Sequence, residues 1–256
     1  MIGLSTGIFL FFAGMLGGAL NAVAGGGSFV AFPALLFTGV PPIAANATNT
    51  VSLWVGVGAS ARAYRRHLNI SRRVLLPLLV VSVVGGLTGA LVLIKTPAHT
   101  FLRTLPWLML GATSLFTFGK HLTRMLAVDV SREPSSAAIA GACLFELFVA
   151  VYGGYFGGGM GIMTLAMLAA LGMTDINAMN ALKVTLGGAI NGVATITFIA
   201  THIIYWPQGV VMTAGAIFGG YMSAHYAQKL PQAWIRGFVI LTGLAMSIYF
   251  FLKAYA

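Results

Sequence analysis

Ten apolar blocks divide the chain, at roughly residues 3–24, 28–38, 44–61, 74–94 and 101–119, then 137–156, 160–172, 179–201, 207–227 and 233–252. Most are long enough to cross a hydrocarbon core of about 30 Å as helices, which takes about 20 apolar residues. The second and seventh are too short. Each of these two directly follows a glycine triplet, Gly25-Gly26-Gly27 in one case and Gly157-Gly158-Gly159 in the other. Glycine breaks a helix, and broken backbone at membrane depth is tolerated only where it is buried in protein or lines a cavity. The pattern predicts an all-α polytopic membrane protein with eight to ten transmembrane helices, two of its segments being broken or re-entrant.

The two short blocks also mark a repeat. Each ends in a glycine-led turn, Gly39-Val40-Pro41-Pro42-Ile43 or Gly172-Met173-Thr174-Asp175-Ile176, and an Asn-Ala pair follows, Asn46-Ala47 or Asn180-Ala181. The copies are offset by about half the chain, a long-period similarity that must be recognised before a fold is assigned. It divides the protein into an N-terminal repeat (1–119), a linker (120–136) and a C-terminal repeat (137–256). Paired breaks at matching places in two repeats point to a functional interruption rather than to two isolated tight turns.

Charge sets the orientation. Arg62, Arg65, Arg66, Arg72 and Arg73 crowd one loop, and Lys120, Arg124 and Arg132 mark the linker, so both are expected on the cytoplasmic side. The second-half loop that matches 62–73 runs Thr201-His202-Ile203-Ile204-Tyr205-Trp206-Pro207 without formal charge, whereas Lys229 and Arg236 flank the next. Five segments per half is an odd number, so the second copy must enter from the opposite side. The expectation is an inverted repeat with both termini outside the cytoplasm.

Composition narrows the class. Of 256 residues, 59% are hydrophobic and 7% charged, with mean hydropathy +0.94. Soluble domains carry about 25% charged residues, so the lipid bilayer is the expected surroundings. The net charge of +10 lies mainly between apolar blocks and implies no nucleic-acid partner. Cys143 stands alone, which excludes an internal disulfide, and no cleavable signal is evident. The histidines show no metal-ligand spacing, there is no P-loop, and no cofactor is predicted. Trp54, Trp107, Trp206 and Trp234 fit interfacial belts.

With the charged loops and the residues flanking them set aside, two ionisable residues remain inside apolar blocks, Glu146 and Lys183. An intramembrane charge marks a site or pathway by default. Lys183 stands where the first repeat has Asn49. It is a candidate binding group, with snorkelling to the interface as the alternative. Glu146 is a candidate proton-coupling carboxyl, equally readable as a structural hydrogen-bonding group or as the partner of Lys183. Around these lie neutral donors, Asn46, Thr48, Asn49, Thr50 and Ser52 in the first half and Asn180, Thr185 and Asn191 in the second. For Asn21 and Asn191 interhelical hydrogen bonding is at least as good a reading. Two broken helices offering N-terminal amides, with one lysine among amides and hydroxyls, describe a site for a small anion. The candidate binding set is Gly25, Gly26, Gly27, Asn46, Thr48, Asn49, Gly157, Gly158, Gly159, Asn180 and Lys183.

At Gly25-Gly26-Gly27 with Pro33 and Leu35, Asn46-Ala47-Thr48-Asn49, and the echo in Gly157-Gly158-Gly159 and Lys183, the chain resembles the TauE/SafE family of sulfite exporter-type anion transporters, along essentially its whole length. The resemblance implies a multi-pass carrier of the bacterial inner membrane, exporting sulfite, a sulfonate, another sulfur oxyanion or a small organic anion by alternating access. The second copy has no proline matching Pro33. A carrier or channel for another small solute, such as an organic acid or a metal ion, is the alternative. A membrane-embedded enzyme is the rival outside transport, and one Glu, one Lys and one Cys are a thin inventory for catalysis. A homo-oligomer is compatible with this reading, and the oligomeric state is left open.

Overall fold

The computed structural model describes residues 3–23, 25–64, 70–126, 134–226 and 232–255. Among the described residues there are ten helices and no strand: α1 (Leu4–Val23), α2 (Ser28–Phe37), α3 (Pro42–Tyr64), α4 (Arg72–Lys95), α5 (Ala98–Leu126), α6 (Ser136–Tyr155), α7 (Met160–Ala170), α8 (Ile176–Ala200), α9 (Trp206–Tyr226) and α10 (Gln232–Tyr255). Arg65, Arg66 and His67 of the basic loop, Asp129, Arg132 and Glu133 of the linker, and Lys229 lie outside the described residues, as do the side chains of Arg62, Lys120 and His225. Helix α5 runs to Leu126, so the first part of the stretch read as a linker continues the helix.

Among the described residues five helices are both long and apolar enough to cross a bilayer unaided, namely α1, α4, α6, α8 and α10. Helices α3, α5 and α9 have the length, at 23, 29 and 21 residues, but carry more polar side chains. In α3 the reason is visible, because Asn46, Thr48, Asn49 and Ser52 are all buried against other helices rather than facing lipid. Helices α2 and α7, at 10 and 11 residues, reach only about 15–17 Å at a rise of 1.5 Å per residue.

The breaks are built alike. At the first, the Gly25 N–H closes onto the Leu20 and Asn21 carbonyls at the end of α1. At the second, the Gly157 N–H closes onto the Tyr152 carbonyl at the end of α6. Gly25 and Gly157 both take positive φ, +79° and +83°, a conformation that a Cβ disfavours. The far ends of the short helices match as well. Gly39 donates to Leu36 and Val40 to Leu35, while Gly172 donates to Ala169 and Met173 to Leu168, the same Schellman closure twice.

The packing of helices also repeats. Helix α1 lies on α9 as α6 lies on α4, and α3 lies on α9 as α8 lies on α4. The tightest of these contacts run backbone to backbone. A Cβ at Gly14 or Gly18 would overlap the Met212 or Ala216 carbonyl, and one at Gly215 or Gly219 would overlap that of Phe11 or Met15. In the other pair a Cβ at Gly89 would overlap the Val151 carbonyl, and one at Gly154 the Gly86 carbonyl. Small residues four apart let membrane helices approach this closely and gain dispersion and weak polar contacts. The register advances in step along both helices, so α1 runs parallel to α9, and α4 parallel to α6.

Trp54 departs from the interfacial reading. Its Nε1 donates to the Gly188 carbonyl at 3.0 Å, and its ring lies over Gly192, where a Cβ would stand 3.3 Å from it. Where α3 crosses α8, the glycines of one helix thus receive the indole of the other. Trp107, Trp206 and Trp234 are exposed.

Candidate functional site

At about 100° per residue, the polar run opening α3 faces two ways. On one side, Thr48 Oγ1 accepts from the Tyr205 N–H and Ser52 Oγ donates to the Gly209 carbonyl, both at 3.1 Å, which fastens α3 to the start of α9. On the other side, Asn46 Nδ2 donates to the Tyr155 carbonyl at 2.9 Å and Asn49 Nδ2 donates to Ser28 Oγ at 3.1 Å. Tyr155 ends α6 and Ser28 opens α2. One helix therefore holds both breaks.

Between the breaks lies a cavity of about 230 Å³. The first half lines it with Asn21, Gly25, Ser28 and Thr50, and the second with Gly157, Gly159, Gly161, Thr164, Asn180, Lys183 and Asn191. Phe116, Phe156, Leu53 and Ile162 add apolar wall. Among the described residues that line it, Lys183 is the one charged side chain. Its aliphatic stem passes Gly161, where a Cβ would stand 3.2 Å from Lys183 Cδ, and its Nζ donates to Asn180 Oδ1 at 2.9 Å. The N-terminal ends of α2 and α7 border the same space through Ser28 and Gly161. The first N–H groups of a helix lack intrahelical acceptors, and the positive dipole end favours a negative ligand there.

Of the residues singled out from the sequence, Gly25, Gly157, Gly159, Asn180 and Lys183 border the cavity. The others stand behind it. A Cβ at Gly26 would come within 2.7 Å of Val239, one at Gly158 within 2.8 Å of the Phe156 ring, and one at Gly27 would overlap the Gly17 carbonyl. Asn46, Thr48 and Asn49 are the buried ties just described. Glu146 is fully buried on α6 and not paired with Lys183. Its Oε1 accepts from Ser82 of α4 at 2.9 Å, and its Oε2 has no hydrogen-bond partner among the described residues. Thr164, which borders the cavity, lies beside that carboxyl, although its own hydroxyl turns to the Met160 carbonyl at 3.2 Å. The cavity also takes in Asn21, Ser28, Thr50, Thr164 and Asn191, outside the candidate set. For Asn191 a signal existed, since it follows Lys183 by about two turns of one helix.

A family profile matches residues 10–250, nearly the whole chain. The chain belongs to the sulfite exporter TauE/SafE family. Among its relatives, a probable membrane transporter protein of Haemophilus influenzae is 29% identical over 247 residues, covering 96% of this chain and 94% of that protein. The probable membrane transporter protein ORF9 of a Sinorhizobium species is 24% identical over 245 residues, 94% and 90% of the two chains. The probable membrane transporter protein YfcA of Escherichia coli K12 is 29% identical over 245 residues, 93% and 87%. No solved structure matches significantly. With several helices apolar and long enough to cross a bilayer, this TauE/SafE member is a multi-pass membrane protein, as fits a transporter of the bacterial inner membrane.

Proposed function

We propose that this chain is a secondary transporter, in the export direction, of small anions such as sulfite, sulfonates or other sulfur oxyanions, which it binds in the cavity between the two helix breaks. The observation that carries the reading is Lys183, a single ammonium among amides, hydroxyls and helix N-termini, bonded to an amide oxygen rather than to a carboxylate. The cavity volume of about 230 Å³ suits a small solute, since pockets for drug-sized ligands run to about 300–1,000 Å³. The sulfur oxyanion is favoured by the family's description.

Alternating access would come from the repeats rocking about this site. Two features support an inverted relation between them. Helices α1 and α3 both run parallel to α9, while α6 runs parallel to α4, by the register of their contacts. The connection from α3 to α4 is too short to cross a membrane of about 30 Å, so α4 returns against α3 and α6 opposes α1.

A thermal-shift screen of detergent-purified protein against sulfite, sulfate, thiosulfate, sulfoacetate and small carboxylates tests the reading. A bound anion should raise Tm in proportion to the logarithm of its concentration above Kd. Stabilisation by carboxylates alone would transfer the site to organic acids, and no response to any anion would sink the proposal.

In the same reading Glu146, one side chain behind the cavity, is available to carry a proton. Glu146→Gln keeps an acceptor for Ser82 and is expected to bind anion like wild type while losing acceleration of transport by a pH gradient in proteoliposomes. Gradient dependence equal to wild type would leave Glu146 a structural group.

A further inference from the structure

The two repeats treat their equivalent asparagines differently. Asn46 corresponds to Asn180, and Asn49 to Lys183. In the second repeat the Lys183 ammonium rests on Asn180 Oδ1 at 2.9 Å. In the first, the corresponding oxygen, Asn46 Oδ1, has no hydrogen-bond donor among the described residues, and neither has Asn49 Oδ1. Both side chains are 1% exposed, and residues three apart share a helix face. The orientation of Asn46 is fixed, because its Nδ2 donates to the Tyr155 carbonyl, which can only accept. Buried acceptors without donors are costly, and two on one helix face, three residues apart, point to a common partner.

We infer that Asn46 Oδ1 and Asn49 Oδ1 form a binding site for a small monovalent cation such as Na⁺, which takes in the first repeat the place that the Lys183 ammonium takes in the second. Ser28 Oγ, which accepts from Asn49 Nδ2 at 3.1 Å, offers a further neutral oxygen next to the Asn49 amide. All three donors are neutral, and among the described residues no cluster of His, Cys, Asp or Glu could hold a metal ion. Hard cations choose oxygen, and a divalent ion needs carboxylates to offset its desolvation, so this set selects single charge. The carbonyl end of α6, which Asn46 touches through Tyr155, adds the negative end of a helix dipole. Discontinuous helices in secondary transporters supply coupling-ion sites from such ends.

The site lies directly behind the wall of the anion cavity. Ser28 and Thr50 border that cavity, and Thr50 Oγ1 donates to the Asn46 carbonyl at 2.9 Å. A cation on the amide oxygens therefore adds its charge to that of Lys183 and raises anion affinity, and the anion raises cation affinity by the same factor. This coupling rests on the anion-transport reading; cation binding by itself does not.

The test is a thermal-shift titration of the purified protein with NaCl against choline chloride, at fixed pH, ionic strength and chloride and with no substrate anion. Wild type should be stabilised by Na⁺ in a saturable way. Asn49→Ala should lose the response. Asn49→Lys, which installs a tethered ammonium as in the second repeat, should be insensitive to Na⁺ with a Tm at or above that of Na⁺-saturated wild type. Equal Tm in Na⁺ and choline for wild type, or a Na⁺ response kept by both variants, would overturn the cation site. A second titration, with the stabilising anion in Na⁺ and in choline, tests the coupling, which should improve the apparent anion Kd about fivefold or more. Na⁺ stabilisation without any anion response would leave the cation site standing and remove the anion reading instead.

Discussion

The Lys183→Met variant is expected to fold at least as stably as wild type and to lose most of its anion-dependent stabilisation. Methionine keeps most of the stem that passes over Gly161, so the packing between α7 and α8 survives. What disappears is an ammonium whose polar partner is the Asn180 amide oxygen. A charge held in a protein without an opposite charge is destabilising until its ligand arrives, and its removal relieves that cost. Asn180 Oδ1 then faces the cavity, where water can serve it. Hydrogen bonds to charged groups contribute about 1.5–3 kcal/mol, which corresponds to roughly 10- to 150-fold in anion Kd. Lys183→Arg should be intermediate, since the charge is kept while the planar guanidinium is wider than the ammonium. Tm measured with and without the best anion of the screen, alongside flux in proteoliposomes, decides the matter. Anion stabilisation of Lys183→Met within twofold of wild type would remove Lys183 from the site.

Gly18→Leu and Gly219→Leu are each expected to abolish the folded, monodisperse protein, whereas Gly7→Leu on the same α1 should leave it intact. A Cβ at Gly18 or Gly219 meets the Ala216 or Met15 carbonyl, which is backbone, so no flexible side chain can move aside. Even one added methyl should cost about 1–3 kcal/mol by overpacking, measurable in Gly219→Ala as a lowered Tm. A leucine forces the axes of α1 and α9 apart and exposes the Asn and Thr ties of α3 beside them. Nothing lies within 4 Å of a Cβ built at Gly7, so a leucine there adds only apolar surface facing outward. Size-exclusion chromatography of the three variants gives the comparison. A monodisperse Gly18→Leu protein with the Tm of wild type would show that the close approach of α1 and α9 is not needed for the fold.

The ten helices, with two short ones after glycine triplets, could be read from the sequence to within a few residues at most ends, because hydropathy over about 20 residues and the helix-breaking of glycine are local properties. Helix α5 was the main exception, its amphipathic last turns continuing past the apolar block to Leu126. Lys183 was legible too, since a lone cation in an apolar block is conspicuous wherever the block packs.

The sorting of the neutral polar residues was not legible. Asn46 and Thr50 lie one helical turn apart, yet Asn46 is spent on the Tyr155 carbonyl 109 residues away while Thr50 borders the cavity. Trp54 reads as an interfacial residue until Gly188, 134 residues on, is seen to take its indole N–H. Gly14 and Gly18 look like any membrane-helix glycines until Met212 and Ala216 are placed against them. By itself the sequence determined which segments are helical, where they break and which charge stands among them, since each follows from the chain's immediate neighbours and the lipid around it. Only the tertiary structure decided which amides face the cavity and which hold the breaks in place, because a side chain's role there depends on helices packed against it from the other half of the chain.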